Sequence, residues 1–558
     1  MQKFDFFVDN RKFKNTINDI VTAFKMKDFT YNLIEKVYQE NALKRTKQIL
    51  NNTPKKINLD LTDITLKGKK IVFNVINGIY GPGTFASAGL AIALMMRGHD
   101  TLVLTCGKAL SMCTAGITIY SAKNPCDNCV DYSKKFYTML GIPHKTYFDY
   151  VTRDDLFNIG FDIRYFISNK NKDKPYEIRD IDDEYKGVNI KQLATNSAER
   201  YFEGKMEKEN YDEIYYKELA NAIISVDVAE RMYEEEKPDI LISSQNYFSA
   251  WGGIAEYCRN QGVRIIDYCK GYDNNTIGFD INQINKDRFN EYYNKYRSKQ
   301  SLSTEETSEL NDLFNLRMLG AYGDTKLYKF ETKDIKKDLD YEKTYCMFTN
   351  IPYDAGLHET VREFKDIYEW VSYTIELFKE KPKNKLLIKI HPIESVVRAQ
   401  NTISDYIKQN IDLTDNIEVI PSNTDISPYS LFPIIDVGIL YSGTLGLELS
   451  LKKIPVVLVG ASHYSDKGFT FDVYSREQYK QLLSKDIKLT DKQAELAKVY
   501  AYYYFIKSYI PVNFFYRNNF LDVGWNIKSF SQLAPGKDKH LDVVCDYIVN
   551  GGVYQKWK

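Results

Sequence analysis

Residues 436–460 read DVGILYSGTLGLELSLKKIPVVLVG and decide the fold. Two short apolar runs, DVGILY and PVVLVG, are separated by a loop that contains glycine and by TLGLELSLKK, an apolar segment of helical length. A strand, a loop, a helix and a second strand in this order form the unit from which parallel sheets are built. The stretch therefore predicts two neighbouring strands of a parallel sheet.

The same alternation continues on the N-terminal side of this stretch. Strands are predicted in TYCMFTNI (344–351), KLLIKI (385–390) and IEVI (417–420), with helical segments between them. Two earlier segments, 69–106 and 239–271, repeat the pattern of strand, loop, helix and strand. Regular alternation of this kind indicates a parallel sheet covered by helices on both faces. The predicted fold class is α/β, with two Rossmann-like, doubly wound lobes.

The length of 558 residues exceeds the roughly 250 to 300 at which one hydrophobic core stops growing. Several parts are therefore predicted along the chain. They are a helical arm (1–65), an N-terminal lobe (66–290) with a charged and mostly helical insertion (154–237), a helical linker (291–336), a C-terminal lobe (337–490), and C-terminal helices that pack across the lobes (491–558).

Composition excludes some partners. The chain has 75 Lys+Arg and 75 Asp+Glu, so its formal net charge is zero and no basic field favours a nucleic acid. The N-terminus lacks the apolar core of a signal peptide, and we find no apolar run approaching the roughly 18 residues of a membrane span. We expect a cytoplasmic protein that works at the inner face of the membrane, where peripheral association is compatible with this composition.

Polar loops follow four predicted strands of the C-terminal lobe. Ligands of an open parallel sheet bind beyond the carboxyl ends of its strands. The residues at those ends are Asn350 to Asp354, His391 to Glu394, Ser442 to Glu448 and His463 to Thr470. We expect these loops to form one binding site.

The loop Ser442–Gly443–Thr444 has the composition of an anion site. Two hydroxyls flank a glycine where a helix begins, so backbone N–H groups and side-chain donors can face a phosphate. The alternative is that Ser442 or Thr444 only caps the helix. Glu448 lies one turn further on, where its carboxylate can accept hydrogen bonds from ribose hydroxyls or hold the lobe together.

His391 ends the strand in NKLLIKIHPIES (384–395), with Lys389 two residues earlier on the same face of the strand. A histidine here can be structural, and the following proline stops strand pairing. The position of His391 beside Lys389, at the carboxyl end of a strand, favours contact with a phosphate.

Four blocks in order carry a resemblance: FTNIPYDA, LLIKIHPIE, DVGILYSGTLGLELSLKKIPVVLVG and HYSDKGFTFD, within Phe348 to Asp472. This segment resembles the C-terminal lobe of bacterial capsule and surface-polysaccharide biosynthesis glycosyltransferases of the GT-B type. It is similar to the capsule-synthesis Kdo transferases and, more loosely, to bacterial sialyl- and polysialyltransferases, which share the His-Pro and Ser/Thr motifs.

The resemblance implies a nucleotide-sugar donor, with a CMP-sugar favoured. It implies that His391, Ser442 and Thr444 hold the donor phosphate. Lys389 stands where members of the group often have arginine, which keeps the charge but loses the bidentate fork. The predicted donor-binding residues are Asn350, Lys389, His391, Glu394, Ser442, Gly443, Thr444, Glu448, Lys467, Gly468 and Thr470.

The acceptor side is predicted from two other strand ends. NGIYGPGTFASAG bends through glycines, which suits close approach of a ligand or simply a tight turn before a helix, and DYCKGYDNNTIGF offers polar side chains. The predicted acceptor-binding residues are Gly81, Gly83, Thr84, Lys270, Tyr272 and Asn275. Transfer with inversion needs a general base, for which Asp273 and Asp354 are the candidates.

Cys106, Cys113, Cys126 and Cys129 form a C-x6-C-x12-C-x2-C pattern. Four thiolates suit tetrahedral zinc, and an iron–sulfur cluster takes the same ligands. The alternative is four small buried cysteines without a metal. We expect a closed structural zinc or iron–sulfur site and no catalytic divalent metal, since Lys389, His391 and a helix dipole can neutralise the phosphate.

The predicted function is transfer of a sugar from a nucleotide-sugar donor to a surface polysaccharide, with a glycan or lipid-linked glycan as acceptor. Two alternatives remain open. One is a sugar-nucleotide epimerase or polyol-phosphate transferase on the same fold, and the other is a non-catalytic metal-binding assembly protein of glycan synthesis.

Overall fold

A computed structural model describes most of the chain. The described residues are 28–53, 68–78, 81–113, 126–156, 159, 182–202, 208–271, 276–279, 301–322, 333–352, 362–396, 402–517 and 522–552.

Seventeen strands are present in these residues. They are β1 (Lys70–Ile76), β2 (Asp100–Thr105), β3 (His144–Thr146), β4 (Glu184–Tyr185), β5 (Val188–Asn189), β6 (Ile240–Ser243), β7 (Arg264–Lys270), β8 (Thr276–Phe279), β9 (Lys343–Phe348), β10 (Asn384–Lys389), β11 (Ile417–Ile420), β12 (Val437–Leu440), β13 (Val456–Leu458), β14 (Phe471–Asp472), β15 (Tyr509–Pro511), β16 (Phe515–Arg517) and β17 (Val523–Trp525).

Fifteen α-helices accompany them in the same part of the chain. They are α1 (Asp28–Asn51), α2 (Pro82–Met95), α3 (Cys126–Leu140), α4 (Ile190–Phe202), α5 (Lys208–Glu236), α6 (Ser249–Asn260), α7 (Thr304–Met318), α8 (Ile367–Lys379), α9 (Ile393–Val396), α10 (Ile403–Asn410), α11 (Pro428–Leu431), α12 (Leu445–Leu451), α13 (Arg476–Leu482), α14 (Asp491–Tyr502) and α15 (Lys539–Asn550).

The chain divides into two compact units. The first comprises Met1–Asn158, Arg231–Asp239 and Asn513–Asp542, and the second comprises Ile159–Glu230, Ile240–Val512 and Val543–Lys558. The domain boundaries that we predicted from the sequence stay predictions.

In the first unit, β1, β2 and β3 pair in parallel. Helix α2 lies against β1 and β2 and is buried around nearly its whole circumference, which explains its apolar sequence. The ring of Phe514 packs directly on Gly89 of this helix, where an added Cβ would meet the ring at 2.2 Å. The first unit therefore has the predicted order of strand, helix and strand.

The second unit contains a six-stranded sheet in the order β11–β10–β9–β12–β13–β14, with parallel pairing between the neighbours. Along β9, Tyr345 and Met347 enter one hydrophobic cluster, whereas Cys346 and Phe348 enter another. Alternate residues of a strand face opposite sides of a sheet, so both faces of this sheet are buried. The predicted α/β class with parallel sheets between helices is confirmed.

The remaining strands of the second unit include a mixed group in which β6 and β7 are parallel, while β8 pairs antiparallel with both β7 and β15. The predicted charged insertion contains α4 and α5, and the predicted linker contains α7. The C-terminal tail is helical in α14 and α15, as predicted. It also contains the short strands β15, β16 and β17, which its dense aromatic sequence did not reveal.

Candidate functional site

The site lies at the carboxyl ends of three neighbouring strands, β10, β9 and β12. Phe348, the last residue of β9, is in register with Lys389 of β10 and with Leu440 of β12. The loops that follow the three strands therefore leave the sheet side by side, as the strand-end rule predicts.

Hydrogen bonds join these loops. The His391 amide donates to Thr349 Oγ1 at 3.1 Å, and the Thr349 amide donates to the carbonyl of Lys389 at 3.1 Å. Asn350 makes two contacts with Ser442: its Oδ1 accepts from the Ser442 amide, and its Nδ2 donates to Ser442 Oγ, both at 3.3 Å. The loops are thus held in one arrangement by groups that the sequence places directly after each strand.

A cavity of about 260 Å³ opens at this edge of the sheet. Seven of the eleven predicted donor-binding residues line it. They are Asn350, Lys389, His391, Ser442, Gly443, Thr444 and Glu448. The sheet position of the three loops explains why residues up to 98 positions apart in sequence meet in one cavity.

Lys389 is a buried cation in the cavity wall. Its side chain is only 2% exposed, and its Nζ donates to the carbonyls of Ile390 and Pro421 at 3.3 Å. Burial lowers the pKa of Lys389 to about 8, although the nearby Cys346 acts in the opposite direction. Lys389 has no ion pair with a carboxylate of the described residues, and the hydrogen bonds of its Nζ within this part of the chain go to two carbonyl oxygens.

Arg317 is a second buried cation that lines the cavity, and its charge is neutralised. Its Nε and Nη2 lie 2.8 and 2.7 Å from Glu448 Oε1, and the two side chains are 2% and 1% exposed. The Tyr429 hydroxyl donates to Glu448 Oε2 at 2.7 Å, and the Arg317 guanidinium stacks over Phe505 at 4.9 Å. Of the two roles we considered for Glu448, this geometry favours holding the lobe together.

We did not predict Arg317 or Tyr429 as site residues. Arg317 occupies the buried face of α7 together with Leu310 and Phe314. The spacing of these three residues, i, i+4 and i+7, places an arginine on an apolar face. An arginine at such a position indicates a buried partner of opposite charge, and this pattern is visible in the sequence.

His391 accepts the Ile393 amide at its Nδ1, at 3.2 Å. A neutral imidazole that accepts at Nδ1 carries its proton at Nε2, so the other ring nitrogen is a donor. Gly443 has φ +99°, a backbone conformation that residues with a Cβ rarely adopt. Thr444 directly precedes α12, but its side chain makes no capping hydrogen bond. Its hydroxyl is therefore not a helix cap.

Four predicted donor residues do not line the cavity. Glu394 is buried at 1% exposure, and burial raises its pKa to about 7. Lys467, Gly468 and Thr470 lie in the loop that leads into β14. In that loop Thr470 Oγ1 donates to Asp472 Oδ2 at 2.8 Å, and the carbonyl of Gly468 accepts from Gln493 Nε2 at 3.1 Å.

The predicted acceptor side is only partly described. Gly81 precedes α2, Gly83 lies in its first turn, and Thr84 is buried there, all in the first unit. Lys270 ends β7, but its side chain lies outside the described residues, as do Tyr272 and Asn275. The candidate bases Asp273 and Asp354 also lie outside them. Acceptor binding and the identity of the base stay predictions.

The four predicted metal ligands all lie in the first unit as reduced thiols, Cys106 buried and the other three half-buried. Within the described part of the chain, no three His, Cys, Asp or Glu side chains are placed as ligands of a metal ion as they stand. None of the helices in the same part of the chain combines the length and the hydrophobicity needed to cross a bilayer.

Known proteins are similar to parts of this chain. Residues 281–515 match the profile of a family described as capsule polysaccharide biosynthesis protein. The match covers less than half of the chain but includes every residue that lines the cavity. No curated protein matches the sequence.

Solved structures show weaker likeness. One is the beta Kdo 2,4 transferase of Thermosulfurimonas dismutans KpsC, which is 13% identical to this chain with a TM-score of 0.34. The aligned region covers 54% of this chain and 88% of the KpsC chain. Its beta Kdo 2,7 transferase has 14% identity over 51% and 82%, with a TM-score of 0.31. The S. aureus MnaA–UDP structure has 11% identity over 77% and 91%, with a TM-score of 0.26.

The family match supports the coarser prediction, a protein of capsule polysaccharide biosynthesis. It also confirms the resemblance that the four sequence blocks indicated, because all four lie inside the matched range. The segment that builds the cavity, residues 281–515, is therefore similar to the capsule polysaccharide biosynthesis protein family.

Proposed function

We propose that the protein transfers a sugar from a nucleotide-sugar donor, with a CMP-sugar favoured, to a surface polysaccharide or its glycan precursor. The donor binds in the cavity at the ends of β9, β10 and β12. Lys389, His391 and Ser442 contact its phosphate, and the lining of the cavity positions the nucleoside.

The observation that carries this proposal is the buried ammonium of Lys389. Burying a charge is costly unless an opposite charge or several hydrogen bonds compensate for it. Two carbonyl contacts of 3.3 Å compensate only weakly. A phosphate in the cavity would supply the missing negative charge, with the Nε2–H of His391 and the hydroxyl of Ser442 as further donors.

The charge of the cavity lining favours a donor with one phosphate. Among the described lining residues the fixed cations are Arg317 and Lys389, and Glu448 neutralises Arg317. One uncompensated lysine matches the single phosphate of a CMP-sugar better than the pyrophosphate of a UDP- or GDP-sugar. The same lysine and His391 offset the charge of the leaving nucleotide, so the proposed reaction uses no catalytic divalent metal.

Thermal-shift measurements with CMP, CDP, UDP and GDP test nucleotide binding. We expect CMP to raise the melting temperature the most, because a ligand that binds only the folded state stabilises it. If none of the four nucleotides produces a shift, the proposed donor site is wrong.

His391→Ala tests whether the cavity is the place of binding. We expect the variant to melt like the wild type without ligand and to lose the shift with CMP. His540→Ala is the matched control, since His540, at the start of α15, is not one of the residues that line the cavity. A destabilised His391→Ala protein that still binds CMP would show that this histidine is structural.

Turnover separates an enzyme from a binding protein. With CMP-Kdo as the probe and extracted capsular glycan as acceptor, we expect release of CMP that depends on the acceptor. Binding without release would favour the non-catalytic assembly protein, and a changed sugar that remains on the nucleotide would favour the epimerase.

A further inference from the structure

The four-cysteine cluster, Cys106, Cys113, Cys126 and Cys129, surrounds the carboxyl ends of β1 and β2 in the first unit. The amide of Cys106, directly after β2, donates to the carbonyl of Ile76 in β1 at 3.0 Å. Cys126 and Cys129 lie three residues apart in the first turn of α3, so both face the same side of the helix. The cluster therefore has two halves, one on the loop after β2 and one on a helix.

Direct contacts dock these two halves together. Lys108, two residues after Cys106, forms an ion pair with Asp127 between the two helical cysteines. Cys113 Sγ lies 4.0 Å from Asn77 Oδ1, and the sulfur of Cys129 accepts a hydrogen bond from the backbone of the adjacent Gly78. One cysteine from each half thus contacts the same two-residue segment after β1.

The backbone around Cys106 bends so that its amides face the sulfur. Gly107 and Lys108 both have positive φ, +59° and +76°, and the N–H groups of Lys108 and Leu110 donate to the sulfur of Cys106. A positive φ at a lysine is uncommon and is maintained only where the surrounding structure fixes it.

The contacts between the two halves hold the loop that carries Cys106 and Cys113 against the first turn of α3, which carries Cys126 and Cys129. Cys106 is buried and the other three are half-buried. Four thiolates brought close together repel each other, and a divalent cation between them removes that repulsion.

We propose that Cys106, Cys113, Cys126 and Cys129 bind one zinc ion as a closed structural centre. Four thiols and Zn²⁺ give a zinc tetrathiolate and four released protons, with no change in oxidation state. Zn–S bonds of about 2.3 Å need the sulfur atoms closer together than they stand. This centre is independent of the donor cavity.

Metal analysis of the purified full-length protein tests the proposal. We expect one zinc ion per chain in protein prepared without chelators, and its loss in Cys113→Ser and Cys129→Ser. Cys258→Ser is the matched control, because Cys258 is fully buried in α6 and outside the cluster, and this variant should keep its zinc. Iron with acid-labile sulfide and visible absorbance would overturn the assignment to zinc in favour of an iron–sulfur cluster.

Cobalt substitution of the wild-type protein keeps the test decisive if the variants do not fold. Removal of zinc with a chelator should lower the melting temperature, and Co²⁺ should restore it with the absorption bands of a tetrahedral cobalt tetrathiolate. Protein that contains no metal, binds no Co²⁺ and exposes the four thiols equally before and after chelation would overturn the proposal.

Discussion

The two buried cations of the cavity differ in what surrounds them. Arg317 forms an ion pair with the carboxylate of Glu448, and the other oxygen of that carboxylate accepts a hydrogen bond from the Tyr429 hydroxyl. The ring of Phe505 covers the guanidinium. Lys389, equally buried, meets two carbonyl oxygens. A charge that is compensated inside the protein stabilises the fold, whereas a charge left to weak dipoles is available to a ligand. The comparison therefore assigns structure to Arg317 and binding to Lys389.

The largest expected effect is on stability, at Arg317. Arg317→Met leaves the Glu448 carboxylate buried without its cation, and we expect a loss of about 3–5 kcal/mol in the free energy of unfolding. Denaturant titration measures this loss. The double variant Arg317→Met/Glu448→Gln should recover part of it, because no buried charge is then left.

An exposed pair provides the control for that measurement. Lys453 forms an ion pair with Asp491 at the surface, with side chains 57% and 91% exposed. Lys453→Met should leave the denaturation midpoint unchanged, since solvent screens such pairs. If Arg317→Met also leaves the denaturation midpoint unchanged, the stabilising role that we assign to the Arg317–Glu448 pair is wrong.

The next effect is on binding, at Lys389. Lys389→Met removes a charge-assisted hydrogen bond to the donor phosphate, and we expect the Kd for CMP to rise about 30- to 100-fold, roughly 2–3 kcal/mol. The free energy of unfolding should stay the same or increase, because a buried charge is removed. Isothermal titration and denaturation measure the two quantities.

Lys385→Met is the matched control for Lys389→Met. Lys385 lies four residues earlier in β10 and pairs with Glu418 at 3.2 Å, outside the cavity. Its replacement should leave the affinity for CMP unchanged. A loss of stability without a loss of affinity in Lys389→Met would reverse the roles that we assign to the two cations.

A pH dependence should distinguish the two cations further. Burial lowers the pKa of Lys389 from 10.5 to about 8. The charged form therefore costs stability below pH 8, and this cost disappears as the pH rises towards 10.5. Affinity for CMP depends on the charged form, so it should fall up to about tenfold per pH unit above pH 8. In Lys389→Met the affinity should be independent of pH in this range.

The smallest expected effect concerns the loop that follows β12. Gly443 has φ +99°, and an added Cβ would meet Asn350 Nδ2 at an ordinary contact distance of 3.7 Å. The cost of Gly443→Ala is therefore conformational, about 1–2 kcal/mol of stability. Gly443→Asn should cost less, because asparagine tolerates positive φ. Equal costs would point to a steric cause instead.

The part of the site built on strand ends could be predicted from the sequence. Apolar runs that end in His391 or Ser442 show where each strand stops, and parallel pairing then places those ends at one edge. The pairing of Glu448 with Arg317 joins residues 131 positions apart through the packing of α7, which no local pattern specifies. The strands β15 to β17 could not be predicted either, because each has only three residues, too few for an alternating pattern to be visible.

A crystal structure of the protein soaked with CMP tests the central claim most directly. We predict that the phosphate lies in the cavity within hydrogen-bond distance of Lys389 Nζ, with Ser442 as a second donor, while the Arg317–Glu448 pair stays intact. A nucleotide bound away from β9, β10 and β12, or a phosphate bound by Arg317 after release of Glu448, would contradict the account.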